Sequence, residues 1–250
     1  MLRVMMKRLM NPFAKGKIDG DRASANMPPD MEEEFRNMYE SFREYTMTSI
    51  ERMYALYQAV HYIVEGKIDG DIVECGVWKG GSVMLCAAVM LAKKDLQRKF
   101  YLYDTYSGMT EPTDNDVDYL GKSAKDVWWQ GDAWEWTRVS LDEVRKNIFS
   151  IGYPDQNIFF VKGKVEETIP ATVPEKISVL HLDTDWYAST YHELVHLYPK
   201  IVPGGVIIID DYGHFKGARE AVDQYIREND IKIFLNRIDY TGRIGIVVPS

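Results

Sequence analysis

The 250-residue chain has only two cysteines, Cys75 and Cys86, too few for a disulfide-stapled scaffold. A reducing, cytoplasmic setting is the simplest expectation. No run of about 18 apolar residues occurs, so no transmembrane segment is expected. Basic residues are in the minority, 30 Lys and Arg against 38 Asp and Glu, for a formal net charge of -8. That balance argues against nucleic acid as a partner, which calls for a basic footprint. There is no Gly-x-Gly-x-x-Gly fingerprint, and no Ser–His–Asp or Cys–His arrangement stands out among the five histidines. Nicotinamide-dependent redox chemistry and covalent catalysis are disfavoured on those grounds.

What is present is enough apolar residue, 46%, to bury a core. Residues 1–45 read as a helical and loop extension, and residues 46–250 as one domain. The basic, Met-rich start Met1–Met10 lacks an uninterrupted apolar stretch and a small-residue cleavage site. It is expected to form a short amphipathic helix that packs on its own domain or on a second subunit, and a homo-oligomer is expected. Residues 11–30 read as loop.

Thr48-Ser-Ile-Glu51 fits a capping box with Thr48 as N-cap, opening a helix that Gly66 ends. Strands and helices then alternate. Strands are expected at Asp71–Cys75, Phe100–Tyr103, Ile158–Val161, Ile177–Leu182 and Val206–Ile209, with helices over Ser82–Ala92 and Ser140–Ser150. Ile231–Leu235 and Ile244–Val248 lack a helix between them and are expected to form a hairpin. The alternation predicts an α/β fold, a mostly parallel sheet with helices on both faces. Residues 105–139 interrupt the rhythm and hold Trp128, Trp129, Trp134 and Trp136. A connection that long is expected to be a lid or binding loop.

In such sheets ligands bind at the carboxyl ends of the strands. Here those ends carry Glu74, Asp104, Asp183, Asp210 and Asp211. Acids crowded at one edge repel unless they hold a cation or accept hydrogen bonds. Gly76, Gly80 and Gly81 permit a sharp turn and close ligand approach, and Ser82 can cap the following helix. Asp104 either accepts a ribose diol or caps the turn at Ser107-Gly108. Asp183, Asp210 and Asp211 make a hard-oxygen set suited to Mg²⁺. His181 reads as a buried, satisfied strand residue, and His214 could line a substrate site.

The segment from about Thr46 to Glu228 resembles the macrocin-type sugar O-methyltransferases of the TylF/MycF family. The resemblance rests on Thr46-Met-Thr-Ser49, Gly70-Asp-Ile-Val-Glu-Cys-Gly-Val-Trp-Lys-Gly-Gly-Ser82 and Tyr103-Asp-Thr-Tyr-Ser-Gly-Met109. Further matches are Val139–Arg145, Leu182-Asp-Thr-Asp-Trp-Tyr-Ala-Ser-Thr190, Leu197–Lys200, Pro203–Gly205 and Asp210-Asp-Tyr212. It implies a class I methyltransferase (Rossmann-like) fold of seven strands and S-adenosylmethionine as methyl donor. It implies that Thr48, Glu74, Gly76, Ser82, Asp104, Gly163 and Asp183 border that donor. It also implies that Asp183, Asp210 and Asp211 hold Mg²⁺, that Asp185 is the base, and that the acceptor is a sugar or glycoside hydroxyl. A catechol-type phenol O-methyltransferase is the alternative, although no Lys follows Asp183 within a few residues. A non-catalytic donor-binding protein is the other alternative, and it would have no use for the acids.

Overall fold

The computed structural model describes residues 27–128 and 132–248. The helix expected within 1–10, most of the loop expected over 11–30, and Trp129 of the expected lid lie outside these residues.

Seven strands build one sheet: β1 Asp71–Cys75, β2 Phe100–Asp104, β3 Ile158–Lys162, β4 Ile177–Leu182, β5 Ile201–Ile209, β6 Asn236–Arg237 and β7 Arg243–Ile246. Their order is β3-β2-β1-β4-β5-β7-β6. The first five are parallel, and β7 runs antiparallel to both β5 and β6. The helices are α1 Glu33–Phe42, α2 Ile50–Glu65, α3 Gly81–Lys93, α4 Ala124–Trp128, α5 Leu141–Phe149, α6 Val165–Thr168, α7 Tyr187–Leu197 and α8 Lys216–Glu228. This is the expected mostly parallel sheet with a C-terminal antiparallel hairpin.

Both faces of the sheet are covered, so the central strand β4 is buried at every position. Ile72, Val179, Val206 and Ile208 join the core beneath α1, α2, α3 and α5. Val73, Leu180, Ile207 and Ile209 join the core beneath α7 and α8. Phe35 and Phe42 of α1 belong to the first core, so residues ahead of Thr46 help to build it.

Three local expectations shift. The N-cap of α2 is Ser49, not Thr48: Ser49 Oγ accepts from Arg52 N at 3.2 Å. Thr48 belongs to the preceding turn, where its N–H donates to Thr46 Oγ1 at 3.2 Å. The N-cap of α3 is Gly80 rather than Ser82, because the chain enters at φ +90, with a Cβ there only 2.9 Å from the Ile148 side chain. Ile231–Leu235 is not a strand; the outer arm of the hairpin is only Asn236–Arg237. Its alternating apolar residues do reach a core, because Ile233 and Leu235 fold over Gly245 of β7 instead of joining the ladder.

Candidate active site

β1 lies between β2 and β4, so the switch point of the sheet is at its carboxyl end. Successive residues of a strand alternate faces. Register pairs Glu74 with His181 and His181 with Ile208. Glu74, His181, Asp183 and Asp210 thus fall on the face beneath α2.

The chain leaves β1 through Gly76 at φ +86, where a Cβ would stand 1.9 Å from the Asp183 carbonyl oxygen. Gly76 N donates to Tyr103 O at 2.9 Å, and Asp183 N donates to Cys75 O at 2.8 Å. The ends of β1, β2 and β4 are fused by these contacts. Asp104 clasps the loop: Oδ2 accepts from Val77 N at 2.7 Å and Trp78 N at 3.0 Å, and Oδ1 from Tyr106 N at 2.6 Å. It caps a turn one residue before Ser107, and its carboxylate is already shared among backbone donors. Gly163 N donates to Asp104 O at 3.0 Å, which brings Gly163 to the same corner. Tyr45 and Thr46 press on Gly81, 2.7 Å from where its Cβ would be, so the segment carrying Thr48 borders the start of α3.

Glu74 is buried, and its Oε1 lies 3.0 Å from His181 Nδ1. His181 Nε2 lies 3.6 Å from Asp210 Oδ1. His181 thus spans the acid of β1 and the acid of β5. Burial opposes its proton, but Asp210 and Glu74 outweigh burial and push its pKa up to about 10.

His181, Asp183 and Asp210 each offer a ligand atom, all within 4.8 Å of one another. Asp211 is not in that group, but it is the next residue after Asp210 and raises the proton affinity of both Asp183 and Asp185 by its charge. Burial and then repulsion from Asp210 and Asp211 push Asp183 well above the usual carboxylate range. Asp185 shifts the same way by burial and by Asp211 and Asp210. Asp211 rises to about 7, by burial and then by Asp210. Asp210 alone falls: Arg52 and His181 overcome its burial. Asp210 Oδ1 and Asp211 Oδ2 are buried without a hydrogen-bond partner. Two orphaned carboxylate oxygens among repelling acids fit a divalent cation.

Asp185 has φ +67, and Trp186 N donates back to Thr184 O at 2.7 Å. A non-glycine residue held in the left-handed region of a three-residue turn stores strain, a feature that concentrates at functional positions. Beside it runs a line of aromatic contacts. Trp78 of the glycine loop meets Trp136 at 6.5 Å, Trp136 meets Trp134 at 6.2 Å, Trp134 meets Trp186 at 6.1 Å, and Trp186 meets Phe215 at 5.0 Å. Trp134 and Trp136 therefore wall the space between the glycine loop and the acid loop. The earlier part of the same stretch is tied to the acid loop: Trp186 Nε1 donates to Thr110 O at 3.0 Å, and Asp116 Oδ1 accepts from Tyr187 N at 2.9 Å.

Four residues of this region carry more than the sequence reading gave them. Arg52 ion-pairs with Asp210 and, at 3.1 Å, with Asp239. Its signal was legible: a cation in the first turn of a helix opposes the helix dipole and needs nearby acids. Asp239 and the fully buried Asp116 and Glu193 gave no such signal, because loop and helix acids are ordinarily solvated. A cavity of about 390 Å³ lined by Asp69, Gly70, Arg98 and Lys176 lies at the opposite end of β1 and β4, away from this cluster.

The chain matches the macrocin-O-methyltransferase (TylF) family over residues 12–244, beyond both ends of the segment Thr46–Glu228. It is 31% identical over 198 residues to demethyldecarbamoylnovobiocin O-methyltransferase of Streptomyces niveus, covering 79% of this chain and 74% of that protein. It is 30% identical over 198 residues to mycinamicin III 3''-O-methyltransferase of Micromonospora griseorubida, covering 79% and 76%. The solved structure of the O-methyltransferase NovP superposes with a TM-score of 0.73 at 28% identity, covering 82% of this chain and 83% of that one.

Proposed function

Because this chain belongs to the macrocin O-methyltransferase family and is an S-adenosylmethionine-dependent O-methyltransferase of the class I fold, we propose that it methylates a sugar hydroxyl of a glycosylated small molecule with the help of a divalent cation, Mg²⁺. The observation that carries the reading is the Gly76–Asp183 contact, which sets the donor loop directly against the acid cluster. A methyl group held at the loop and an oxygen held at the acids are then neighbours, and alignment of that kind is a large part of such catalysis.

The roles divide as follows. Gly76 and the Asp104-clasped loop, with Thr48, Glu74, Ser82, Gly163 and the Asp183 backbone around it, border the donor. Asp183, Asp210 and Asp211 hold the cation, and the orphaned oxygens of Asp210 and Asp211 support that assignment. When bound, the cation would lower the pKa of the acceptor hydroxyl and fix its orientation. Asp185 takes the hydroxyl proton as the oxygen attacks the methyl carbon and S-adenosylhomocysteine leaves. Its place in the left-handed turn two residues beyond Asp183, beside the acid cluster, supports that role. The faces of Trp134 and Trp136 support an acceptor ring and exclude water, with Trp186 buried behind them.

A relative from Streptomyces olivaceus, 32% identical over 198 residues, is named for a rhamnosyl-bearing acceptor, and this favours a sugar acceptor. The aromatic wall would also suit a flat phenol. The test is transfer of labelled methyl from S-adenosylmethionine to a panel of glycosides, nucleotide sugars and catechols. Label on a sugar oxygen is the expected result. Label confined to catechols would replace the sugar reading.

A further inference from the structure

Arg52 is placed with unusual care for a surface-helix cation. It occupies the third position of α2, where the helix dipole disfavours it. Its side chain lies over Gly242, whose Cβ would stand 2.9 Å from Arg52 Cγ and Cδ. Asp239 receives Arg52 Nε, takes the Ser49 hydroxyl at 2.7 Å, and is itself fixed by Thr241 N at 2.9 Å and Gly242 N at 2.7 Å. Thr241 Oγ1 donates to Asp210 O at 2.6 Å, so the same turn anchors the backbone of the acid that Arg52 holds. The guanidinium grips Asp210 Oδ2 and leaves Oδ1 without a hydrogen bond, facing His181 Nε2 at 3.6 Å.

We propose that Arg52 is the resident counter-cation of the acid cluster: it keeps the carboxylates together before a divalent ion enters, and by its charge it holds that ion weakly enough to exchange. The proposal rests on the cation site argued above. Two effects of Arg52 oppose each other. Orienting a ligand carboxylate strengthens metal binding, typically by about 10- to 100-fold. Sharing one carboxylate with a dication weakens it, because like charges a few ångströms apart in a partly buried site repel strongly. Without Arg52 the Asp210 backbone stays anchored by its strand and by Thr241, and its Oδ1 still faces His181 Nε2 at 3.6 Å, so repulsion is the larger effect.

The test is Mn²⁺ binding to the full chain without donor or acceptor, by electron paramagnetic resonance and calorimetry, with melting temperatures measured in parallel. Arg52→Gln should bind Mn²⁺ about tenfold or more tightly than the unmutated chain, since a neighbouring positive charge is gone. Arg52→Lys, which keeps the charge and loses the fork, should stay near the unmutated value. Metal-free Arg52→Gln should melt lower, and Mn²⁺ should raise its melting temperature by more. If metal-free Arg52→Gln does not fold, Mn²⁺ must restore the fold; failure to do so overturns the proposal. Weaker or unchanged Mn²⁺ binding in Arg52→Gln overturns it too, and a matching fall in Arg52→Lys would make Arg52 a positioning residue instead. Absence of Mn²⁺ binding in both the unmutated chain and Arg52→Gln defeats the cation site itself, and the role of Arg52 with it.

Discussion

Gly76→Ala is the substitution with the clearest expected cost. The added Cβ would sit 1.9 Å from the Asp183 carbonyl oxygen and 2.6 Å from its carbonyl carbon. Both are backbone atoms, held by the hydrogen bond from Asp183 N to Cys75 O, so nothing flexible can yield. A left-handed φ costs an alanine roughly 1–2 kcal/mol. Forcing packed backbone apart adds about 1–3 kcal/mol. The sum, about 2–5 kcal/mol, predicts a fall in melting temperature of roughly 5–15 °C for a chain of this size. Gly152→Ala is the control: its φ is +81, but a Cβ there meets nothing within 4 Å. It should lose only the conformational share, about 1–2 kcal/mol. Calorimetry should also show S-adenosylhomocysteine binding weakened about tenfold or more by Gly76→Ala, a change of roughly 1.4 kcal/mol, and unaltered by Gly152→Ala. Equal melting temperatures for the two variants, or intact ligand binding in Gly76→Ala, would refute the claim that the donor loop rests on the Asp183 backbone.

Excess Mg²⁺ should restore part of the turnover of Asp183→Asn but none of that of Asp185→Asn, whose loss should be about 10²–10⁴-fold as for a general base; recovery of Asp185→Asn at high Mg²⁺ would reverse the two roles. Asp116→Ala should raise the acceptor KM and speed hydrogen exchange over residues 109–124 while S-adenosylhomocysteine binding stays unchanged, because Asp116 ties that segment to the start of α7; unaltered exchange there would mean the clasp carries no constraint. Glu193 is fully buried against Thr184, and burial pushes its carboxyl pKa well above the ordinary glutamate value. The folded chain therefore keeps a proton that the unfolded chain releases, so stability falls as pH rises from about 4.5 towards the raised value. Glu193→Gln should flatten that slope and be more stable at pH 8, by roughly 1–3 kcal/mol; a parallel slope in pH-dependent urea unfolding would exclude this.

The fold was legible because β1 and β4 have the residue types and the length of fully buried strands and end on acids. The candidate site was legible in its acids for the same reason, since Glu74, Asp104, Asp183 and Asp210 close strands that a parallel sheet must bring to one edge. Alternation misled at Ile231–Leu235, where a period of two marks a buried face but not a hydrogen-bonded ladder. The capping residues slipped by one or two positions because Thr48 and Ser49 are equally good caps locally, and the choice is made by Asp239, 190 residues away, which binds Ser49. The partners of the site acids, Arg52 with Asp210 and Glu193 with Thr184, come from elements distant in sequence or from a helix face. No local pattern announces them. The stretch 105–139 read as one lid, whereas Asp116 and the Trp186–Thr110 contact fasten part of it to the acid loop.

The central claim is that methyl transfer needs a divalent cation at the acids beside the donor loop. It is tested most directly by one paired measurement on protein stripped with a chelator: turnover on an accepted glycoside, and S-adenosylhomocysteine affinity in the same sample. Stripping should abolish turnover and leave S-adenosylhomocysteine binding in place through Gly76 and the Asp104-clasped loop, and Mg²⁺ should restore turnover. Full turnover after thorough stripping would contradict the central claim.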